Sequence, residues 1–244
     1  LLLSISKGRQ MKSAREFACV VLVAGTAFLL SGCANPVKQL LSSRPAAPGS
    51  AMEVAATSTN PAERTVALRK VAAEASQVSA SEREQIAARL AGMLPREDDP
   101  RLRVEILQTL AQYPSSVSAQ VTQAALHDES TEVRIAVCRV LGERRGADSV
   151  KRLSQVVQEE DNVDVRIEAV RALGAIGGDA ALPVLQTALD DDDPAVQFVT
   201  MDALRGVTGL QLENDVALWR DHLDGKRGPP PQTGLAERVR SWFY

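Results

Sequence analysis

Aromatic residues make up only 3% of this 244-residue chain: two Trp, two Tyr and four Phe. A β-sandwich or barrel draws on aromatic and β-branched side chains in alternation, and this sequence offers little of that. Its 45% hydrophobic content rests on Ala, Leu and Val, which suits close-packed helices. Cysteine is nearly missing. Cys19 and Cys33 fall near the N-terminus, so Cys138 stands alone in the body and no internal disulfide framework can form. Cys138 reads as a small buried hydrophobe on a helix rather than a nucleophile.

A basic excess is also missing. The formal net charge is −3, and residues 1–32 hold four basic side chains and one acidic, which leaves 24 basic against 30 acidic in the remainder. An acidic body lacks the stripe that phosphate neutralisation requires, so no nucleic-acid partner is expected. Reactive clusters are equally scarce. No Cys-x-x-Cys, His-Glu-x-x-His, phosphate-binding glycine loop or dinucleotide fingerprint occurs. His127 and His222 are far apart, and no Ser-His-Asp grouping is brought together by spacing. The expectation is a protein that is not an enzyme, with no cofactor, no metal and no identifiable small-molecule substrate. The acidic tracts Glu97-Asp98-Asp99, Glu159-Glu160-Asp161 and 190–193 lack an Asp-x-Asp-x-Asp-Gly loop. They read as solvated turns whose charge favours the adjacent helix N-termini.

Long apolar runs are absent too, with one short exception. Lys12 and Arg15 supply a positive start, and the 14 residues from Phe17 to Leu30 form an apolar run. That is short of the roughly 20 needed to span a bilayer and fits the hydrophobic part of a secretory signal. The run ends in Leu30-Ser31-Gly32-Cys33, which resembles the lipobox of bacterial lipoproteins. The resemblance implies that Cys33 is lipidated and becomes the new N-terminus, since a thiol can accept a diacylglyceryl group. Ala34 follows where some bacteria place a retaining aspartate, which implies an outer-membrane location facing the periplasm. Residues 1–10 precede a good start at Met11 and are expected not to be translated. From Asn35 to Thr59 the chain is rich in Ser, Pro, Ala and Gly and reads as a flexible tether.

The remainder is repetitive. Asn60-Pro61, Asp99-Pro100, Ser130-Thr131, Asn162-Val163 and Asp193-Pro194 each join an N-cap residue to a suitable first helical residue. Successive caps lie 39, 31, 32 and 31 residues apart, a period that marks a solenoid. Three residues after the caps come Glu63, Leu102, Val133, Val165 and Val196; next come Arg64, Arg103, Arg134, Arg166 and Gln197. Eleven residues after the caps come Val71, Leu110, Leu141, Leu173 and Leu204, on one helical face. A second apolar-periodic stretch closes each unit, giving two antiparallel helices per repeat. The runs Val133-Arg134-Ile135-Ala136-Val137 with Leu141-Gly142, and Val165-Arg166-Ile167-Glu168-Ala169 with Leu173-Gly174, resemble the short HEAT repeats of phycobiliprotein lyases. The resemblance implies an all-α fold, an α-solenoid of about five HEAT-like helix pairs.

It also implies a role for Arg64, Arg103, Arg134 and Arg166 as a structural ladder. Asp99, Asp128, Asp161 and Asp193 are the expected partners, and an anion-binding stripe is the alternative. The closing segment, Leu204 to Gly209 followed by Leu218-Trp219-Arg220, resembles the end of many bacterial HEAT-repeat proteins, with Trp219 expected to plug the core. Beyond it, Leu235, Val239, Trp242 and Phe243 share roughly one side of a ten-residue tail, with Arg238 and Arg240 elsewhere. Alone it makes a marginal helix; docking on the solenoid, contact with the membrane and engagement of a partner all stay open for Arg238, Trp242 and Phe243. The expected organisation is a signal segment (1–32), lipidated tether (33–59), solenoid (60–224) and linker with tail (225–244). The expected function is a lipid-anchored scaffold for another envelope protein; the alternative is an enzyme or accessory subunit related to the lyases.

Overall fold

The structure, a computed structural model, describes residues 48–226. Residues 1–47, including Cys33, and 227–244, including Arg238, Trp242 and Phe243, lie outside the described residues. Among the described residues there are eleven α-helices and no strand. Helix α1 (Pro48–Thr57) precedes five pairs: α2 (Pro61–Ala73) with α3 (Ala80–Met93), α4 (Pro100–Ala111) with α5 (Ser116–Ala124), and α6 (Thr131–Arg144) with α7 (Ala147–Glu159). The last two are α8 (Val163–Ile176) with α9 (Gly178–Ala188), and α10 (Pro194–Thr208) with α11 (Val216–Leu223).

Each first helix starts where its cap dictates. The side chains of Asn60, Asp99, Asn162 and Asp193 accept the N–H groups of Ala62, Arg101, Asp164 and Ala195 at 2.8–3.1 Å. Each capping oxygen thereby satisfies a donor that the helix itself leaves open. Ser130 makes no such bond; Asp128 instead accepts the Ser130 N–H at 2.9 Å.

One pair cannot bury its own apolar face, so the pairs stack. The first helices α2, α4, α6, α8 and α10 pack side by side in chain order. The second helices form another layer, and two of them, α7 and α9, are wedged against the first helix of the next unit as well as their own. The eleventh-position residues Val71, Leu110, Leu141, Leu173 and Leu204 are all buried, as are Leu68, Leu107, Cys138, Val170 and Met201 at the eighth. Fully burying such a side chain contributes roughly 1.5–3 kcal/mol. They do not form one continuous cluster. One core gathers residues from Ala51 to Tyr113, the other from Leu107 to Trp219, with Leu94 and Val121 packed against both.

The tether expectation needs correction at its C-terminal end. Residues 48–57 form α1, which buries Ala51, Met52 and Ala55 against α2 in the N-terminal core. Their i, i+1, i+4 spacing makes one apolar face. Pro48, Gly49 and Ser50 therefore open a helix instead of extending a linker, and α1 covers the flank of α2 that no earlier helix pair among the described residues covers.

Candidate interaction surface

The repeated arginines are the most regular polar feature of the fold. Each stands four residues after its cap, in the first turn of a first helix. Arg103 Nη1 donates to the carbonyls of Glu97 and Asp98. Arg134 makes the same pair of bonds to Asp128 and Glu129, and Arg166 to Glu160 and Asp161. The other side of each guanidinium reaches forward to the next unit. Arg103 pairs with Asp128 at 2.8 Å, Arg134 grips Glu160 at 2.9 and 3.0 Å, and Arg166 grips Asp191 at 2.9 and 3.1 Å. Arg64 pairs with Glu97 and donates from Nε to the Ala55 carbonyl, tying α1 into the same row. A planar fork matched to a carboxylate gives geometry as well as attraction.

Of the four expected acidic partners, only Asp128 takes an arginine side chain. Asp99 and Asp193 are spent on capping, and Asp161 contributes its carbonyl. The partners stand two residues before the next cap: Glu97, Asp128, Glu160 and Asp191. Each also accepts the N–H of that cap residue, at 2.8–3.1 Å. One carboxylate thus holds the preceding arginine and shapes its own helix entry, a double task that a cap residue cannot perform. Burial alone would push the Glu160 carboxyl up, but the bonds from Arg134 and the Asn162 N–H hold it below its ordinary range. The row closes at Gln197, whose Nε2 donates to the Asp191 carbonyl at 2.7 Å. Gln keeps the carbonyl bond and drops the charge where no further unit follows among the described residues.

A second set of pairs lies along the first helices. Arg69 binds Glu105 at 3.0 and 3.1 Å, and Arg139 binds Glu168 at 2.9 and 3.4 Å. In both, the ninth residue after one cap meets the sixth after the next. Sequence reasoning missed these pairs; the signal was an Arg and a Glu separated by the repeat period less three.

The fifth residue after each cap faces neither core squarely. Val104, Ile135 and Ile167 are half-buried, and Phe198 is 52% exposed. One apolar side chain in each of the second to fifth units therefore lies on the same side of the stacked helices as the Arg–Glu pairs. Apolar contacts flanked by polar groups on a rigid support are the makings of a protein interface. Cys138 is fully buried and burial pushes its thiol up to about 12, so it stays protonated. His127 lines a shallow groove with Arg152 and Glu159, and His222 sits on α11. Among the described residues no three His, Cys, Asp or Glu side chains converge as metal ligands, and no helix is long and apolar enough to cross a membrane. Trp219 is fully buried at the end of the C-terminal core, donates Nε1–H to the Glu213 carbonyl at 3.1 Å and lies under Arg205.

This two-layer stack with its arginine row is a HEAT-type α-solenoid, and residues 118–205 match the HEAT repeats family. That segment is therefore a run of HEAT repeats. In fold, the chain is similar to the complex of CpcE and CpcF of phycocyanin lyase from Nostoc sp. PCC7120, with 18% identity over 69% of this chain and 67% of that one and a TM-score of 0.50. An engineered protein also matches, at 22% identity over 67% of this chain and 80% of its own, with a TM-score of 0.42. No curated protein matches by sequence.

Proposed function

We propose that this protein is a scaffold held at the bacterial envelope by lipid on Cys33, which binds another protein through the first-helix side of its solenoid and performs no catalysis itself. The observation that carries the reading is the row Val104, Ile135, Ile167 and Phe198, one apolar side chain in each of the second to fifth units, held in register by paired guanidinium groups. Such a row offers a partner contact area without reorganisation. The anchor rests on the Leu30-Ser31-Gly32-Cys33 tetrapeptide after its apolar run, and outer-membrane sorting rests on Ala34.

Two experiments test the parts separately. A palmitate analogue should label the wild-type protein and not Cys33→Ser; equal labelling refutes the anchor. Affinity capture from native envelope should recover a stoichiometric protein with the wild type and lose it with Ile135→Asp/Phe198→Asp. Retention by that double variant refutes the surface. The fold likeness to phycocyanin lyase supports a second reading, an accessory subunit of an enzyme. Recovery of a coloured or nucleotide ligand instead of a protein would favour it.

A further inference from the structure

An apolar groove stands open between α1 and α2. It has a volume of about 740 Å³, and its walls include Ala51, Val54, Ala62 and Val66. Val54 and Val66 are 41% and 52% exposed, two of the three large hydrophobic side chains left exposed among the described residues. Charge borders the groove: Glu63, Lys70 and Glu74. Glu74 brings a buried Oε2 that no hydrogen bond satisfies. A buried carboxylate oxygen without a donor is unfavourable, so the groove suits an occupant with an apolar stripe and a cation beside it.

The chain carries such a segment at its own C-terminus. In 235–244, Leu235, Val239 and Trp242 fall at i, i+4 and i+7, and Phe243 adjoins them. Those positions form a single helical stripe, the pattern by which an amphipathic helix enters a groove. Arg238 lies three residues from Leu235 and four from Trp242, beside the stripe, and Arg240 adds a second guanidinium against the single carboxylate of Glu237. The side chains of the segment sum to +1 and those bordering the groove to −1. The eight residues 227–234 that precede the segment extend by about 26–29 Å at most, less than the roughly 32–40 Å of the four helix spacings that separate α2 from α10. The segment therefore falls short of the groove of its own chain and meets that of a neighbouring copy.

We propose that residues 235–244 of one copy occupy the α1–α2 groove of a neighbouring copy, with Trp242 and Phe243 against Val54 and Val66 and an arginine of the segment on Glu74. The test replaces Phe243 with the photocrosslinker benzoylphenylalanine in the full chain, irradiates intact cells and maps crosslinked peptides by mass spectrometry. Crosslinks should join two copies of the chain and fall within residues 48–74 of the second. The Val66→Asp variant should cut their yield about tenfold, the scale of one lost apolar contact, with helix content and Tm unchanged because Val66 points outward. Crosslinks to lipid, to another protein or to other helices overturn the proposal, as does a yield that Val66→Asp leaves unchanged.

Discussion

The two ends of one solenoid are held together by different means. In the C-terminal units the first helices touch through missing side chains. A Cβ placed on Gly142 would stand 3.0 Å from the Ala172 Cβ, and one on Gly174 would stand 2.8 Å from the Ala203 Cβ. Glycine is there because the neighbouring helix occupies the space. In the N-terminal units the same twelfth position holds Ala72 and Ala111, and reach replaces close approach. Tyr113 is fully buried and its hydroxyl donates to the Val71 carbonyl, while Thr109 Oγ1 donates to the Leu68 carbonyl at 3.3 Å. The family match covers 118–205 and leaves the N-terminal units out. The repeat architecture therefore survives a change in how its neighbours meet. What both halves share is the arginine row, and one of its members, Arg103, joins the second unit to the third.

Several substitutions sharpen that contrast. The largest effect is expected at the C-terminal end, where Trp219→Ala removes the closing ring and should cost about 3–5 kcal/mol, read as a lower Tm. Gly174→Val should cost roughly 1–3 kcal/mol through overpacking, whereas Gly92→Ala in α3, where a Cβ meets nothing within 4 Å, should gain about 0.5–1 kcal/mol from helix propensity. If both glycines respond alike, close approach is not what distinguishes the C-terminal units. Acid probes the shared row. The Glu160 carboxyl lies below its ordinary range in the fold, so its stabilisation is present above the unfolded carboxylate pKa and fades as pH falls through the folded one. Glu160→Gln should flatten that part of the acid-unfolding curve. On the N-terminal side, Tyr113→Phe should cost about 1 kcal/mol, the net worth of one hydrogen bond. A gain of similar size is expected at the end of α6. Arg145 takes φ 56° and ψ −174° at the end of α6, where Gly177 takes φ 66° and ψ −164° at the end of α8. That region is nearly reserved for glycine, so Arg145→Gly should stabilise by about 1 kcal/mol.

Much of this was legible in the sequence. All five caps begin first helices, because a capping oxygen followed by proline or a β-branched residue is a local signal that needs no tertiary help. The eleventh-position residues are buried because helical period and repeat period agree on them. Three ladder partners were misplaced by one or two residues, since proximity in sequence does not show that a carboxylate must serve both an arginine and a cap N–H. α1 was hidden by composition. Pro48, Gly49 and Ser50 look like linker until Met52 and Ala55 find α2 beneath them, which is a long-range fact. Tyr113 drew no notice because a single tyrosine carries no periodic signal. The exposed surface row was the least legible of all, because partial exposure is set by the spacing of neighbouring helices.

Hydrogen exchange on Arg103→Met tests most directly whether the arginine row couples two separately built cores into one array. Removing this buried guanidinium, 7% exposed beside Asp128, should uncouple the halves. Amides of α2 to α5 should then lose protection, while those of α6 to α10, resting on the larger core, keep theirs. Equal loss along all five units, or no loss at all, would contradict the account.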